Sequence, residues 1–418
     1  MNRYVVLCAI VSVFMMVSCV PYRFIKYGSE NIDDNEIGVF DVDTIHRSDT
    51  PFIFPEKPQG DRVLDTMKIP YGKGRKMSLT SGMDTINVSQ AIVVVQNDSI
   101  IYENYQGWLG RDTRSVIFSV SKTITSLLCG IAIDEGYIKS VQDPVTDYIP
   151  ELVKKDTMFR YLTIEHLLDM RAGLKFSENY KANPFTGMAR LYYGRNVMKQ
   201  IANVKFSDKP DETFDYNSMT TAILGEVIER ATGKSYAAYL SEKVWKPLGM
   251  EIDAVVCLDD PHHRRAKSYA GIATCVRDLA KIGQLYLDKG VWQGQQVVDS
   301  AWVKRSFSIS DAMENNRYSY SWRCQVYTIG NKDGGAYHTD SLSAVKRCEE
   351  LNYPLSQVKI VHNDKGYKAE YYTDRFYALG VRGQVVYVNP NKRIVAVFIG
   401  EDRIGDYNNT FDYMASML

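Results

Sequence analysis

Phe118-Ser-Val-Ser-Lys-Thr-Ile-Thr-Ser-Leu-Leu-Cys-Gly-Ile-Ala-Ile-Asp-Glu-Gly136 is the stretch on which the architecture turns. Val120, Ile124, Leu127, Leu128, Ile131 and Ile133 spread apolar side chains almost all round a helix, and Gly136 supplies its C-cap. Such a helix is central and buried. Upstream, Ala91-Ile-Val-Val-Val-Gln96 and Ser99-Ile-Ile-Tyr-Glu-Asn-Tyr105 flank the turn residues Asn97-Asp98, the pattern of a β-hairpin. Far downstream, Gly383 to Val388, the turn Asn389-Pro390-Asn391-Lys392 and Arg393 to Ile399 predict a second hairpin. Between them, short amphipathic helices alternate with loops, as in Thr163 to Met170 and Thr220 to Thr232. The expected class is therefore α+β: an antiparallel sheet flanked by helices and built from both ends of the chain. The sheet part covers about 76–135 and 300–418, with a mainly α-helical region inserted over about 136–299.

At 418 residues, 45% hydrophobic, the chain can bury one sizeable core and a second packed region. Lysine plus arginine equals aspartate plus glutamate at 50 each, and no long run of one sign interrupts the sequence. The field of a nucleic-acid binder is missing, so a small-molecule or short-peptide substrate is the expected partner. Beyond Cys8 and Cys19, Cys129, Cys257, Cys275, Cys324 and Cys348 are odd in number and lack CxxC spacing. That excludes a disulfide scaffold and a zinc site. Cys129 falls in the apolar helix and reads as core, and the adjacent His262-His263 read as loop residues rather than metal ligands. No metal and no cofactor is called for.

The chain opens on Met1-Asn2-Arg3 and the apolar run Tyr4 to Val17, a basic region and a hydrophobic core too short for an ordinary transmembrane helix. Residues 1–18 read as a signal peptide. Met16-Val17-Ser18-Cys19 resembles a bacterial lipobox with methionine in the usual leucine position, making Cys19 the expected lipidated residue. The expected location is a bacterial cell envelope, membrane-anchored and periplasm-facing. Residues 19–75 are polar and broken by Pro51, Pro55, Pro58 and Pro70, and read as a tether and N-terminal arm ahead of the 76–418 domain.

Three Ser-x-x-Lys matches occur, at Ser119/Lys122, Ser343/Lys346 and Ser356/Lys359, and context separates them. The last two lie in a polar stretch. Only Ser119 stands where a loop enters a long buried helix, next to free backbone N–H groups and the positive end of the helix dipole. A spacing of three puts the Lys122 amine on the same helix face as the Ser119 hydroxyl, a pair that can generate a nucleophile without histidine. A plain N-cap serine beside a surface lysine is the structural alternative. Other catalytic signatures fail: there is no Gly-x-Ser-x-Gly elbow and no His-Glu-x-x-His, and Gly233-Lys234-Ser235 lacks the upstream glycine of a phosphate loop, which is Ile228.

Phe118 to Ser126 resembles the active-site segment of class C β-lactamases, D-stereospecific peptidases, related esterases and nylon-oligomer hydrolases. The resemblance continues, in order, through Thr163 to Leu174, Tyr216 to Met250, and Gly271 to Ala280, and covers about residue 78 to the end. It implies Ser119 as nucleophile, Lys122 as its partner, and Tyr216, in Tyr216-Asn217-Ser218, as a general base and acid. Ser218 replaces the family's asparagine. The third motif, Lys-Thr-Gly or His-x-Gly on a strand lining the cleft, corresponds to Val381-Arg382-Gly383 before Gln384, with Val381 in the cation's place. Gly383 would admit substrate close to the strand, and the N–H groups of Gln384 and Ser119 would form the oxyanion hole. Val381 weighs against penicillin as natural substrate, not against hydrolysis.

Tyr318-Ser-Tyr-Ser-Trp322 resembles a strand that in the family runs almost directly into the third motif, whereas here about 323–375 intervene as an insert, read as a surface elaboration. The expectation is a serine hydrolase acting on an amide or ester, with linear amides and D-amino-acid peptides among the candidates, through a Ser-Lys-Tyr acyl-enzyme. The rival is a catalytically weak or inactive envelope lipoprotein that keeps the fold to bind cell-wall peptides.

Overall fold

A computed structural model describes residues 20–27, 37–57, 64, 68–71, 75–78, 90–179, 183–307, 317–400, 410–411, 414–416 and 418. The stretch read as a signal peptide, 1–18, and Cys19 lie outside the described residues.

The main sheet is antiparallel, in the order Tyr318–Ser319, Trp322–Ile329, Gly366–Leu379, Val385–Asn389, Ile394–Gly400, Gln90–Gln96, Ser99–Gln106. An interior pair joins strands from early and late in the chain, with Val397 opposite Val93 and Phe398 opposite Ile92. Both faces are apolar because both are covered. Val93, Val95, Val386, Val388, Val395 and Val397 point into the main core, while Ile92, Val94, Val385, Tyr387, Ala396 and Phe398 alternate onto the other side, where Phe411 and Met414 close over them. The two expected hairpins form as read. Asn97 and Asp98 both take positive φ (49° and 63°), the two-residue turn that matches the twist of its strands.

Against the inner face lie the helices Val120–Asp134 and Val276–Leu287. A β-carbon on Gly283 would come 2.5 Å from Val395 Cγ1 and 3.1 Å from Val386 Cγ1, so only glycine lets this helix lie so close to the sheet. The first helix buries every residue from Val120 to Ala132. Three of its buried hydroxyls meet partners: Thr123 Oγ1 donates to the Ser321 carbonyl (2.9 Å), Thr125 Oγ1 to the Ser268 carbonyl (2.8 Å), and Ser121 Oγ accepts from Ile272 N (3.2 Å), whereas Ser126 Oγ has none among the described residues.

Four details depart from the sequence reading. The region read as helical also carries a small antiparallel sheet, ordered Val42–Ile45, Ala254–Cys257, Ile272–Thr274, Ser115–Val116. Its outer strand comes from the segment read as tether, which is held to the domain. Val20–Tyr27 is a helix whose Phe24 meets Tyr193 edge-on, and Phe52 and Phe54 pack on Trp292. Prolines prevented long elements there but not docking. Tyr318 to Trp322 is not one strand: Tyr320 and Ser321 have φ of 43° and 68° and form a tight turn between two strands. Finally, the ends of the 323–375 insert belong to the main sheet, in strands Trp322–Ile329 and Gly366–Leu379. Only the stretch between them departs, with helix Ser341–Glu350 and strand Val358–Asn363 around a small core of Ile329, Ala344, Cys348 and Ala369. Tyrosines facing a half-exposed sheet extension give the polar composition that hid these strands.

Candidate active site

Ser119 sits where strand Ser115–Val116 turns abruptly into the central helix. The turn is made by Phe118, a buried non-glycine residue at φ 43°, a conformation that costs energy and persists only when its surroundings enforce it. Ile117 N bonded to the Ile272 carbonyl (2.9 Å) and Ser121 N bonded to the Phe118 carbonyl (2.9 Å) do so. Ser119 itself already has helical angles and makes no side-chain cap, so its hydroxyl is not occupied by the role a plain N-cap would give it.

That hydroxyl accepts from Lys122 Nζ at 2.9 Å. Lys122 is 1% exposed, and its amine's other partner is the Tyr269 carbonyl at 3.0 Å. Tyr269 is fixed in turn by its phenol, which donates to the Leu191 carbonyl (2.9 Å) and whose pKa is raised by burial. By contrast, Ser343 lies on the Ser341–Glu350 helix in contact with Asp340, its backbone N–H and hydroxyl both donating to that carboxylate (2.7 and 3.0 Å). No lysine bonds Ser343 among the described residues.

Tyr216 stands just before the Ser218–Thr232 helix, whose N-cap is Asn217. Its ring lies 5.2 Å from Lys122 Nζ, and edge-on to Tyr318 at 5.7 Å. The Arg323 guanidinium covers both rings, at 5.0 Å from Tyr216 and 5.3 Å from Tyr318. The structure thus brings Ser119 and Lys122, on one helix end, together with Tyr216 from a second stretch of sequence.

Ser218 is placed differently from the expectation. It is fully buried, and both its N–H (2.9 Å) and its hydroxyl (2.5 Å) donate to the Glu178 carboxylate. A short side chain at the first turn of a helix binds an incoming carboxylate there, as the dipole favours.

The third motif is also corrected. Val381-Arg382-Gly383 is not on a strand but in the turn joining Gly366–Leu379 to Val385–Asn389, closed by Gly380 N to the Gln384 carbonyl (2.7 Å) and Gly383 N to the Gly380 carbonyl (3.0 Å). Gly383 takes φ 97° there. The Gln384 side chain is buried, accepting from Arg382 N (3.3 Å) and donating to the Gly400 carbonyl (3.0 Å). A β-carbon on Gly380 would lie 3.0 Å from the Ile117 carbonyl, so this turn rests against the residues leading into Ser119. Among the described residues, neither the Ser119 nor the Gln384 N–H has a hydrogen-bond partner in the protein. Val381 is partly buried against the main core.

Known proteins resemble the chain in sequence and in fold. The family model described as Beta-lactamase matches residues 84–401. The chain belongs to the Beta-lactamase family. Within the family it resembles the 6-aminohexanoate-dimer hydrolase of Paenarthrobacter ureafaciens, 27% identical over 289 residues, covering 64% of this chain and 72% of that one. Esterase EstB of Burkholderia gladioli is 28% identical over 181 residues, 39% of this chain and 46% of the esterase. Among solved structures, a Bacillus anthracis protein named for 6-aminohexanoate-dimer hydrolysis superposes with a TM-score of 0.71 at 22% identity, covering 95% and 94% of the two chains. A class C β-lactamase does so with a TM-score of 0.53 at 14% identity, covering 81% and 94%. The chain is thus a β-lactamase-type serine hydrolase with amide- and ester-hydrolysing relatives.

Four residues at this Beta-lactamase-family site escaped the sequence reading. Glu178 lies in a motif-free polar stretch, Tyr269 acts through its carbonyl, and Tyr318 and Arg323 were assigned to a strand and an insert. Only the tyrosine-rich Tyr318 to Trp322 signature could have pointed to the last two.

Proposed function

We propose that this enzyme hydrolyses an amide or ester bond through an acyl-enzyme on Ser119. The observation that carries the reading is the 2.9 Å contact between Ser119 Oγ and the buried Lys122 amine at the mouth of the central helix. When the amine is neutral the same contact runs in reverse, the hydroxyl donating. Ser119 Oγ then attacks the substrate carbonyl carbon as its proton passes to Lys122, with Tyr216 sharing the transfer. The oxyanion rests on the N–H groups of Ser119 and Gln384, a donor of this kind being worth ~3 kcal/mol of barrier. The proton goes on to the leaving nitrogen or oxygen as its bond to the acyl carbon breaks, and water releases the acid and restores Ser119.

The missing cation at Val381 favours linear amides, esters or D-amino-acid peptides over penicillins. The lipobox supports anchoring through Cys19 at a bacterial envelope membrane, facing the periplasm. A fluorophosphonate probe, together with nitrophenyl esters, a linear aminohexanoate dimer, D-alanyl peptides and a chromogenic cephalosporin, tests the reading. Wild type labels covalently and turns over at least one acyl substrate, while Ser119→Ala does neither. Equal labelling of the two proteins overturns it in favour of a binding protein.

A further inference from the structure

The cation that the third motif lacks is present at this site on another element. Arg323 is the second residue of strand Trp322–Ile329 and pairs in register with Tyr318, so the two side chains share one face of the sheet. Its guanidinium lies over the rings of Tyr318 and Tyr216, and the Tyr216 ring is also the one approached by Lys122 Nζ, the partner of Ser119 Oγ. It is only partly exposed. Yet among the described residues no carboxylate pairs with it and no carbonyl accepts from it, whereas Arg305 and Arg317, on the neighbouring segments, are both paired with carboxylates. Held against two rings that stand edge-on to each other, the guanidinium spends none of its N–H donors on a carboxylate or carbonyl among the described residues, and a planar fork of free donors matches a carboxylate bidentately. Glu178 accepts from the N–H and hydroxyl of Ser218 and makes no ion pair with Arg323 among the described residues.

We propose that Arg323 is the receptor for a substrate carboxylate, making this enzyme selective for amides or esters of anionic acids or amines over neutral ones. The proposal rests on the acyl-enzyme reading above and names its substrate class. The aromatic pair fixes the guanidinium in advance, so little ordering is required on binding. Arg323 would replace in function the cation that Val381 removed, from a different strand and with a different approach to the reacting carbonyl.

Two esters with the same leaving group and similar length separate the outcomes: mono-(4-nitrophenyl) glutarate, which is anionic, and 4-nitrophenyl butyrate, which is neutral. For wild type, kcat/KM should favour the glutarate by at least roughly tenfold at low salt, a charge-assisted bidentate pair being worth about that or more. The ratio should shrink in high salt, fall to near one in Arg323→Met, be partly kept in Arg323→Lys, and drop below one in Arg323→Glu. A merely structural stack would lower both esters together and leave the ratio alone. A wild-type ratio near one, or an unchanged ratio in Arg323→Met, overturns the proposal. If Arg323→Met does not fold, the wild-type and Arg323→Lys ratios decide. Calorimetric titration with glutarate distinguishes the two failures. If neither ester shows Ser119-dependent turnover, the hydrolase reading falls, while glutarate binding weakened in Arg323→Lys and lost in Arg323→Met still supports the receptor and absent binding to wild type sinks it.

Discussion

At Lys122 one side chain carries two duties, holding the Tyr269 carbonyl and touching the Ser119 hydroxyl, and both depend on a nitrogen at one fixed place. Lys122→Met keeps the buried stem and removes the nitrogen. Turnover of whichever ester the wild type accepts should fall by roughly 10²–10⁴, the usual worth of a positioned proton acceptor, with KM changed far less. A second lysine makes the opposite point. Lys267 is fully buried, its amine has no hydrogen-bond partner among the described residues, and it lies over the rings of Phe40 (4.8 Å) and Tyr192 (6.0 Å). Burial pushes its pKa down to about 8. The folded state therefore binds this proton less tightly than the unfolded state does, so the cost of charging it is complete below pH 8 and fades as pH rises toward the unfolded value. Lys267→Met should raise unfolding free energy at pH 7 by ~2 kcal/mol. In urea titrations the gap between variant and wild type should narrow between pH 7.5 and 9.5. A gap independent of pH would show that the ammonium is not the source.

Among the elements, the helix Val276–Leu287 depends on a missing side chain. Gly283→Ala gains about 1 kcal/mol of helix propensity, but it drives a methyl into Val395 and Val386, whose branched side chains are locked in the sheet. The net should be a loss of roughly 1–3 kcal/mol, read as a lower midpoint in guanidinium at unchanged slope. The helices and hairpins with strong local signals were legible in the sequence because their information is local: the all-round apolar pattern of Val120 to Ile133, and the Asn97-Asp98 turn. The third motif was legible as a place but not as a shape. Val381 to Gln384 can be recognised by order along the chain, whereas turn or strand there is settled by the pairing of Leu379 with Val385, a tertiary fact. Ser218 and Glu178 are 40 residues apart, and no spacing rule links them. Arg323 was hidden by adjacency to an insert, although its strand belongs to the sheet that the insert extends.

Across the whole molecule, the helical part is clasped to the sheet part at the Tyr320 turn. Asp169, at the end of helix Ile164–Leu168, accepts from Tyr320 N (3.1 Å) in the tight turn and from Arg305 (2.6 Å), while Tyr320 reaches Glu165 with its phenol (3.2 Å). Burial raises the Asp169 pKa to about 6 despite Arg305. The folded state holds that proton more tightly than the unfolded state, so this carboxyl's contribution to stability is complete below about pH 4 and is lost as pH rises through 6. The unfolding free energy of wild type minus that of Asp169→Asn should accordingly be larger at pH 4.5 than at pH 7. The reverse slope would mean that the Arg305 pair outweighs desolvation.

The sheet has a temporal consequence as well as a spatial one. One of its interior pairs joins Gln90–Gln96 to Ile394–Gly400, so the early hairpin cannot dock on the rest of the sheet until Gly400 has been synthesised. The first hairpin made is thus the last to find its neighbour. Nucleation must bridge some three hundred residues of intervening chain, a high contact order that slows folding and leaves strand Gln90–Gln96 with one open side during synthesis. A copy terminated before Ile394 has no partner strand to protect its first hairpin from proteolysis.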